Sequence, residues 1–101
     1  MAYRAPYRVD DRRLRFAIVG CGRIHDRHID AIERHRDRAE LVAVCETDGS
    51  VLDQVSGALG VPGYASLEQL LAASNADVVT LCTPSGLHPQ QAIQVARAGR
   101  H

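Results

Sequence analysis

The sequence predicts an α/β fold built on a doubly wound parallel sheet. Short, nearly continuous apolar runs alternate with segments whose apolar residues recur at helical spacing. A glycine-rich turn, Gly20-Cys21-Gly22, follows the first apolar run and precedes the first helical pattern. Strands separated by helices in this order form right-handed crossovers, and ligands then lie at the carboxyl ends of the strands. This is the Rossmann arrangement.

The length of 101 residues leaves room for one domain with one core. We predict that residues 1–13 form a flexible arm, because they show no sustained periodicity and are rich in Arg, Tyr and Asp. Residues 14–101 are the predicted dinucleotide-binding domain. The pattern ends where a further strand would follow, so we expect the sheet to lack its last strands.

The predicted strands are apolar on both faces. They run over Phe16–Val19, Leu41–Cys45 and Val78–Cys82, and a short one lies near Gly63–Ala65. Runs without polar alternation are typical of parallel strands that helices cover on both sides. Because helices then cover both faces of the sheet, we expect a ligand to bind at the edge where the strands end.

The first helix is predicted from residues spaced three and four apart, which form the face Ile24, His28, Ala31, Ile32 and His35. We interpret the two histidines of this face as packed neutral rings without a chemical role. The cysteines, Cys21, Cys45 and Cys82, lack metal-ligand spacing and are interpreted as small buried thiols.

Residues that are typical of helix starts and helix ends predict three further helices. The second has Asp48 and Ser50 as candidate caps and ends at Gly60. The third is predicted from Ser66 and Gln69, at the spacing of a capping box. The fourth starts at Pro89 and stops at Gly99.

Composition excludes some functions. Twelve acidic and twelve basic residues give a net charge of zero, so we expect no nucleic-acid partner. No apolar run has the roughly 20 residues of a membrane span, so we expect no membrane contact and a cytoplasmic location. All twelve basic residues are Arg, so no lysine is present for catalysis.

The glycine turn has the context of a dinucleotide fingerprint. Gly20 permits the tight turn and Gly22 lets the backbone approach a pyrophosphate, while Arg23 and Ile24 open a helix whose positive end faces that anion. The third fingerprint position, usually Gly or Ala, is His25, which can widen the gap between helix and strand. A purely structural turn is the alternative.

Glu46 follows the second apolar run at about the spacing of the acid that binds the adenosine ribose. A carboxylate there favours NAD, because it repels the extra phosphate of NADP and neither Thr47 nor Asp48 supplies a compensating charge. In the alternative, Glu46 caps the next helix and Asp48 binds the ribose.

A polar stretch follows the third apolar run at the same predicted edge, Thr83-Pro84-Ser85-Gly86-Leu87-His88. Its hydroxyls and imidazole suit hydrogen bonding to a nicotinamide or a substrate. The alternative is a turn followed by a helix start.

Taken together, the segments 16–24, 43–48 and 83–88 resemble the Gfo/Idh/MocA oxidoreductase family over residues 14–101. Within it, residues 38–42 and 83–89 are most similar to the UDP-N-acetyl-2-amino-2-deoxyglucuronate 3-dehydrogenases of bacterial surface-polysaccharide synthesis. The resemblance implies NAD as cofactor. It also implies two groups of cofactor-binding residues: the pyrophosphate loop Gly20, Gly22, Arg23 and Ile24, and a wall near the nicotinamide formed by Thr83, Pro84, Ser85, Leu87 and His88. Relatives commonly have Asp in place of Glu46.

The resemblance further implies a second domain that holds a nucleotide-sugar substrate, forms a homo-oligomer and follows a strand with a catalytic Lys. We expect these parts to lie beyond His101 and the chain alone to be inactive. Two alternatives stay open, a stand-alone dinucleotide- or partner-binding module and a Rossmann-like domain for another nucleotide, such as adenosylmethionine.

Overall fold

The computed structural model describes residues 12–21 and 25–101, in which strands and helices alternate along the chain. The strands are β1 (Leu14–Val19), β2 (Ala39–Cys45), β3 (Gly63–Tyr64) and β4 (Val78–Leu81). The helices are α1 (His25–Arg34), α2 (Gly49–Leu59), α3 (Leu67–Ala73) and α4 (His88–Arg97), and a 3₁₀ turn spans Ser85–Leu87. None of the described helices is long and apolar enough to cross a membrane.

The sheet is parallel throughout, in the order β3-β2-β1-β4. Val19, the last residue of β1, pairs with Cys45 of β2 and Leu81 of β4. The three strands therefore end at one edge. The chain leaves β1 for β2 on one side and returns to β4 on the other, so this edge is the topological switch point where open α/β sheets bind ligands.

Both faces of the sheet are covered, which confirms the doubly wound prediction. Ala17 and Val19 of β1 pack with α3 and α4, whereas Ile18 between them packs with α1 and α2. Successive side chains of a strand point to opposite faces, so burial on both sides requires an unbroken apolar run.

The predicted helix ends are close to the observed ones. Asp48 is the N-cap of α2, and Gly60 ends that helix with φ +66°. The Ser66 hydroxyl accepts a hydrogen bond from the Gln69 amide at the start of α3. Helix α4 begins one residue before Pro89, and β4 ends one residue before Cys82.

The predicted packing of α1 is partly wrong. Ile32 is buried and Ile29 packs beside it, whereas Ala31 and His35 are exposed and His28 is half-buried. The helix is rotated relative to the predicted face, so that Ile29 and Ile32, three residues apart, point to the sheet. His28 and His35 instead border an open groove over the end of the sheet near Leu14.

At the amino ends of β1 and β4, a buried carboxylate joins the start of the described chain to the sheet. The Asp77 side chain accepts hydrogen bonds from the Arg12 guanidinium at 2.7 and 2.9 Å, from the Arg15 guanidinium at 3.3 Å and from the Arg15 amide at 2.8 Å. Arg13 forms a more exposed ion pair with Glu40. Arg12 and Arg13, the last residues of the predicted arm, are thus held by the domain.

The end of the chain lies alongside β4. The His101 amide donates to the Asp77 carbonyl at 3.0 Å, and the Val79 amide donates to the His101 carbonyl at 2.7 Å. The Arg100 guanidinium binds carbonyl oxygens near the end of α3, those of Leu71, Ser74 and Ala76. His101 therefore occupies the position at which the sequence predicts a further strand beside β4.

Candidate functional site

Three of the predicted segments meet at the carboxyl edge of the sheet. Gly20 follows β1, Glu46 follows β2 and Thr83 lies just beyond β4. The Gly20 amide donates to the Cys45 carbonyl at 2.8 Å, and the Cys82 amide donates to the Val19 carbonyl at 2.7 Å. Backbone hydrogen bonds thus fix the three segments against one another.

Gly20 is required by its conformation and by its neighbours. Its φ is +89°, and a Cβ at this position would lie 2.9 Å from the carbonyl carbon and oxygen of Cys82 and 3.0 Å from Cγ2 of Thr83. Any side chain would therefore strain the turn and overlap the residues that follow β4. The predicted loop residues Gly22, Arg23 and Ile24 lie outside the described residues, so their role stays a prediction.

Glu46 is directed toward the glycine turn. Its Oε1 accepts a hydrogen bond from the Cys21 amide at 2.9 Å, and its Oε2 accepts from the Asp48 amide at 2.9 Å and from the Thr47 hydroxyl at 3.4 Å. The side chain is half-buried. A carboxylate has about four acceptor positions, so this one retains capacity for a further donor.

The structure contradicts the alternative in which Glu46 caps the next helix. Asp48 is the cap, because its Oδ1 accepts from the Ser50 amide at 3.0 Å, the Val51 amide at 3.3 Å and the Ser50 hydroxyl at 2.8 Å. The hydrogen bonds of the helix start hold the Asp48 carboxylate, whereas the Glu46 carboxylate contacts the glycine turn at the Cys21 amide.

Hydrogen bonds keep both carboxyl groups ionised. The amide of Asp48, followed by that of Cys21, lowers the pKa of Glu46 below its usual value. The Ser50 hydroxyl, followed by the Val51 amide, lowers the pKa of Asp48 in the same direction. The edge of β2 therefore carries fixed negative charge at neutral pH, which suits hydroxyl donors and disfavours a phosphate.

The stretch after β4 is organised around Thr83. Its hydroxyl donates to Oε1 of Gln91, a residue of α4, and its carbonyl accepts a hydrogen bond of 2.6 Å from Nε2 of His88. A carbonyl only accepts, so Nε2 carries the proton and Nδ1 is the other polar atom of the ring. Pro84 and Leu87 are exposed, and Ser85 starts the 3₁₀ turn.

Gln91 is a site residue that the sequence patterns did not single out. The signal was weak: a glutamine three residues after His88, which a helix places on the same side. Apart from this spacing, Gln91 and its neighbour Gln90 are residues of the same type in the same helix. In the structure Gln91 is half-buried, whereas Gln90 is exposed.

The cysteines lie below this edge as small thiols. Cys21 and Cys45 are buried and Cys82 is half-buried. Burial, together with the nearby Glu46 carboxylate, raises the pKa of Cys21 and of Cys45 to about 11. Among the described residues, no group of three His, Cys, Asp or Glu side chains could hold a metal ion.

Comparison with known proteins identifies the family. Residues 14–101 match the GFO_IDH_MocA model, described as the oxidoreductase family with an NAD-binding Rossmann fold. The chain is 50% identical to a WlbA dehydrogenase from Chromobacterium violaceum, with a TM-score of 0.88 over 92% of this chain and 27% of that one. It is 54% identical to the WlbA dehydrogenase from Bordetella pertussis, with a TM-score of 0.87 over 89% of this chain and 28% of that one. Both structures contain NADH and UDP-GlcNAcA.

A curated relative with a different substrate shares the same region. The inositol 2-dehydrogenase of Rhizobium meliloti is 33% identical over 87 residues, which are 86% of this chain and 26% of the relative. The chain thus spans about a quarter of the length of these proteins. The comparisons confirm the predicted fold, the predicted cofactor and the similarity to dehydrogenases that bind UDP-linked sugar acids. The chain therefore belongs to the Gfo/Idh/MocA oxidoreductase family and corresponds to its NAD-binding Rossmann domain.

Proposed function

We propose that this chain binds NAD across the carboxyl edge of the sheet, with the glycine turn at the pyrophosphate and Glu46 at the adenosine ribose. The observation that carries the proposal is the hydrogen bond between the Glu46 carboxylate and the Cys21 amide. This contact places the acid beside the glycine turn, at the switch point of the sheet, where one dinucleotide can reach both.

The polar groups at this edge fit the cofactor. The ionised Glu46 offers acceptor capacity to ribose hydroxyls, which are donors. Gly22, Arg23 and Ile24 would supply backbone amides to the pyrophosphate at the start of α1. The wall after β4, Thr83, Pro84, Ser85, Leu87 and His88, would lie beside the nicotinamide.

We further propose a preference for NAD over NADP. The adenosine ribose of NADP carries an additional phosphate, which the negative charge at Glu46 would repel. Thr47 and Asp48, the next two residues, supply no positive charge. Asp48 adds a second carboxylate to the same edge.

For the whole protein we infer an NAD-dependent dehydrogenase that oxidises a secondary hydroxyl of a nucleotide-linked sugar acid. The support is the identity of 50–54% to dehydrogenases whose structures hold NADH and UDP-GlcNAcA. NAD would accept the hydride, and this chain would bind and orient the NAD. The chain contains no lysine, so a lysine acting on the substrate hydroxyl would belong to another part of the protein. Homo-oligomer formation, the cytoplasmic location and the absence of nucleic-acid and membrane partners stay predictions.

To test the cofactor proposal, the 101-residue chain is titrated with NADH and with NADPH, and binding is monitored by the fluorescence of the nicotinamide. Glu46→Ala should weaken NADH binding about tenfold, because hydrogen bonds to a charged group are lost, and should change NADPH binding little. Asp53→Ala removes an exposed carboxylate from α2 and serves as the control. An unchanged preference in Glu46→Ala would remove Glu46 from the ribose site. If the chain binds adenosylmethionine but does not bind NADH, the proposal is overturned.

The whole-protein proposal is tested by the intact mass of the native gene product. A mass several times the 11.0 kDa of this chain would agree with an enzyme that carries a second domain. A mass equal to that of the chain would contradict it and favour a stand-alone dinucleotide-binding module.

A further inference from the structure

We propose that Gln91 is a positioning residue for the nicotinamide half of the cofactor, and that it acts through the side chain of Thr83. The proposal rests on the proposed NAD site. Its basis is the hydrogen bond from the Thr83 hydroxyl to Oε1 of Gln91, which joins the end of β4 to the first turn of α4.

Thr83 is held from three sides. Gln91 accepts from its hydroxyl, and His88 donates to its carbonyl. Its methyl group faces the glycine turn, since a Cβ at Gly20 would lie 3.0 Å from Cγ2. The contacts of the hydroxyl and the methyl select one orientation of the side chain, with the methyl toward Gly20 and the hydroxyl toward α4, and the contact with His88 holds the backbone.

The contact with Gln91 also decides what the Thr83 hydroxyl offers to a ligand. A hydroxyl has one proton and two acceptor lone pairs, and Thr83 donates its one proton in the hydrogen bond to Gln91. The hydroxyl can then accept but not donate. The ligand group that it fits is a donor, and on the nicotinamide half of NAD the donors are the carboxamide NH₂ and the ribose hydroxyls.

Gln91 is distinguished from the other glutamines of α4 by its position. It is half-buried, whereas Gln90 and Gln94 are exposed on the same helix. Loss of the Gln91 acceptor would free the Thr83 hydroxyl to donate elsewhere, and the side chain would no longer be restricted to one orientation. The effect should fall on ligands that reach Thr83 and spare those that bind only near Gly20 and Glu46.

The experiment compares NADH with ADP, which has the adenosine and the two phosphates but neither the nicotinamide nor its ribose. Binding of both to the 101-residue chain is measured by calorimetry for Gln91→Leu, Thr83→Val and the double variant. Gln90→Leu is the matched control. Gln91→Leu should weaken NADH binding about three- to tenfold, the usual range for one hydrogen bond, and leave ADP binding unchanged. Because Gln91 acts through Thr83, the double variant should be no weaker than Thr83→Val.

Three outcomes would overturn the proposal. Equal weakening of NADH and ADP binding by Gln91→Leu would indicate a general structural role. Unchanged NADH binding would show that the contact does not matter for the cofactor, and additive effects of the two substitutions would show that Gln91 does not act through Thr83. If the unaltered chain binds neither ligand, the proposed NAD site itself fails, which is a separate result.

Discussion

The carboxylate of Glu46 lies against the backbone amide of Cys21, with 2.9 Å between Oε1 and the amide nitrogen. Its other oxygen accepts from the Asp48 amide at the same distance. One side chain therefore ties the end of β2 to the glycine turn after β1. Glu46 has a structural role even before a ribose is considered, and its removal should affect both stability and binding.

The first prediction concerns acid stability. The pKa of Glu46 is lowered in the folded chain, so its ionised form stabilises the fold. This contribution is fully present above the ordinary pKa of 4.5 and is lost as the pH falls through the lower folded value. The difference in urea midpoint between the unaltered chain and Glu46→Gln should be constant near pH 7 and shrink below about pH 4.

The control for this prediction is Asp53→Asn, which removes one exposed carboxylate from α2. The urea midpoint of Asp53→Asn should equal that of the unaltered chain at every pH. A difference between Glu46→Gln and the unaltered chain that is the same at about pH 3 as at about pH 7 would show that the carboxylate does not hold the turn.

The second prediction concerns Gly20. Alanine there must adopt φ +89° and place its Cβ 2.9 Å from the backbone of Cys82, so Gly20→Ala should destabilise the fold by about 2–4 kcal/mol. Gly57→Ala is the matched control. Gly57 lies inside α2, and no neighbouring atom lies within 4 Å of the position that a Cβ would occupy, so alanine there should stabilise by about 0.5–1 kcal/mol. Urea unfolding, monitored by circular dichroism, measures the change in the free energy of unfolding for both variants. A change of the same sign in both would contradict the proposed steric role of Gly20.

The features that the sequence predicted are those set by local spacing. The apolar runs of β1, β2 and β4 predicted covered parallel strands, and the caps at Asp48, Gly60 and Ser66 were visible because capping depends on neighbours within a few residues. The meeting of Gly20, Glu46 and Thr83 followed from the rule that parallel strands end at one edge. These expectations required only the order and the ends of the strands.

The features that the sequence did not predict depend on contacts between distant residues. Arg12 meets Asp77 across 65 positions, and nothing in the local pattern near either residue indicates the pair. Gln91 has a neighbouring glutamine of the same type, Gln90, and only the rotation of α4 selects between them. Apolar spacing alone similarly left the facing side of α1 ambiguous, and Ala31 of the predicted face is exposed.

The third prediction concerns the thiols. With the pKa of Cys21 and of Cys45 raised from 9.0 to about 11, each has about a hundredfold less thiolate at about pH 8 than a free cysteine, and burial slows access further. Alkylation by iodoacetamide, followed by mass spectrometry, should leave both unmodified in the native chain over a period that labels all three cysteines in urea. Rapid native labelling of Cys21 would show that the end of β1 opens.

The last prediction compares two arginines that are adjacent in sequence. Arg12 binds the carboxylate of Asp77, whose side chain is 1% exposed, whereas Arg13 pairs with Glu40, whose side chain is 35% exposed. Removing the partner of a buried charge lowers the free energy of unfolding much more than losing an exposed ion pair does. Arg15 also contacts Asp77, which limits the destabilisation. Arg12→Ala should therefore destabilise the fold by about 2–3 kcal/mol and Arg13→Ala by less than about 1 kcal/mol.

Equilibrium unfolding in urea measures both variants, and Asp77→Asn provides a further comparison. Asparagine keeps much of the shape of the side chain but loses the charge, so Arg12→Ala should have a smaller effect in the Asp77→Asn background than in the unaltered chain. Equal effects of the two arginine variants would indicate that the start of the described chain is held by something other than Asp77. The difference between them therefore measures how strongly the buried carboxylate fixes the residues that precede β1.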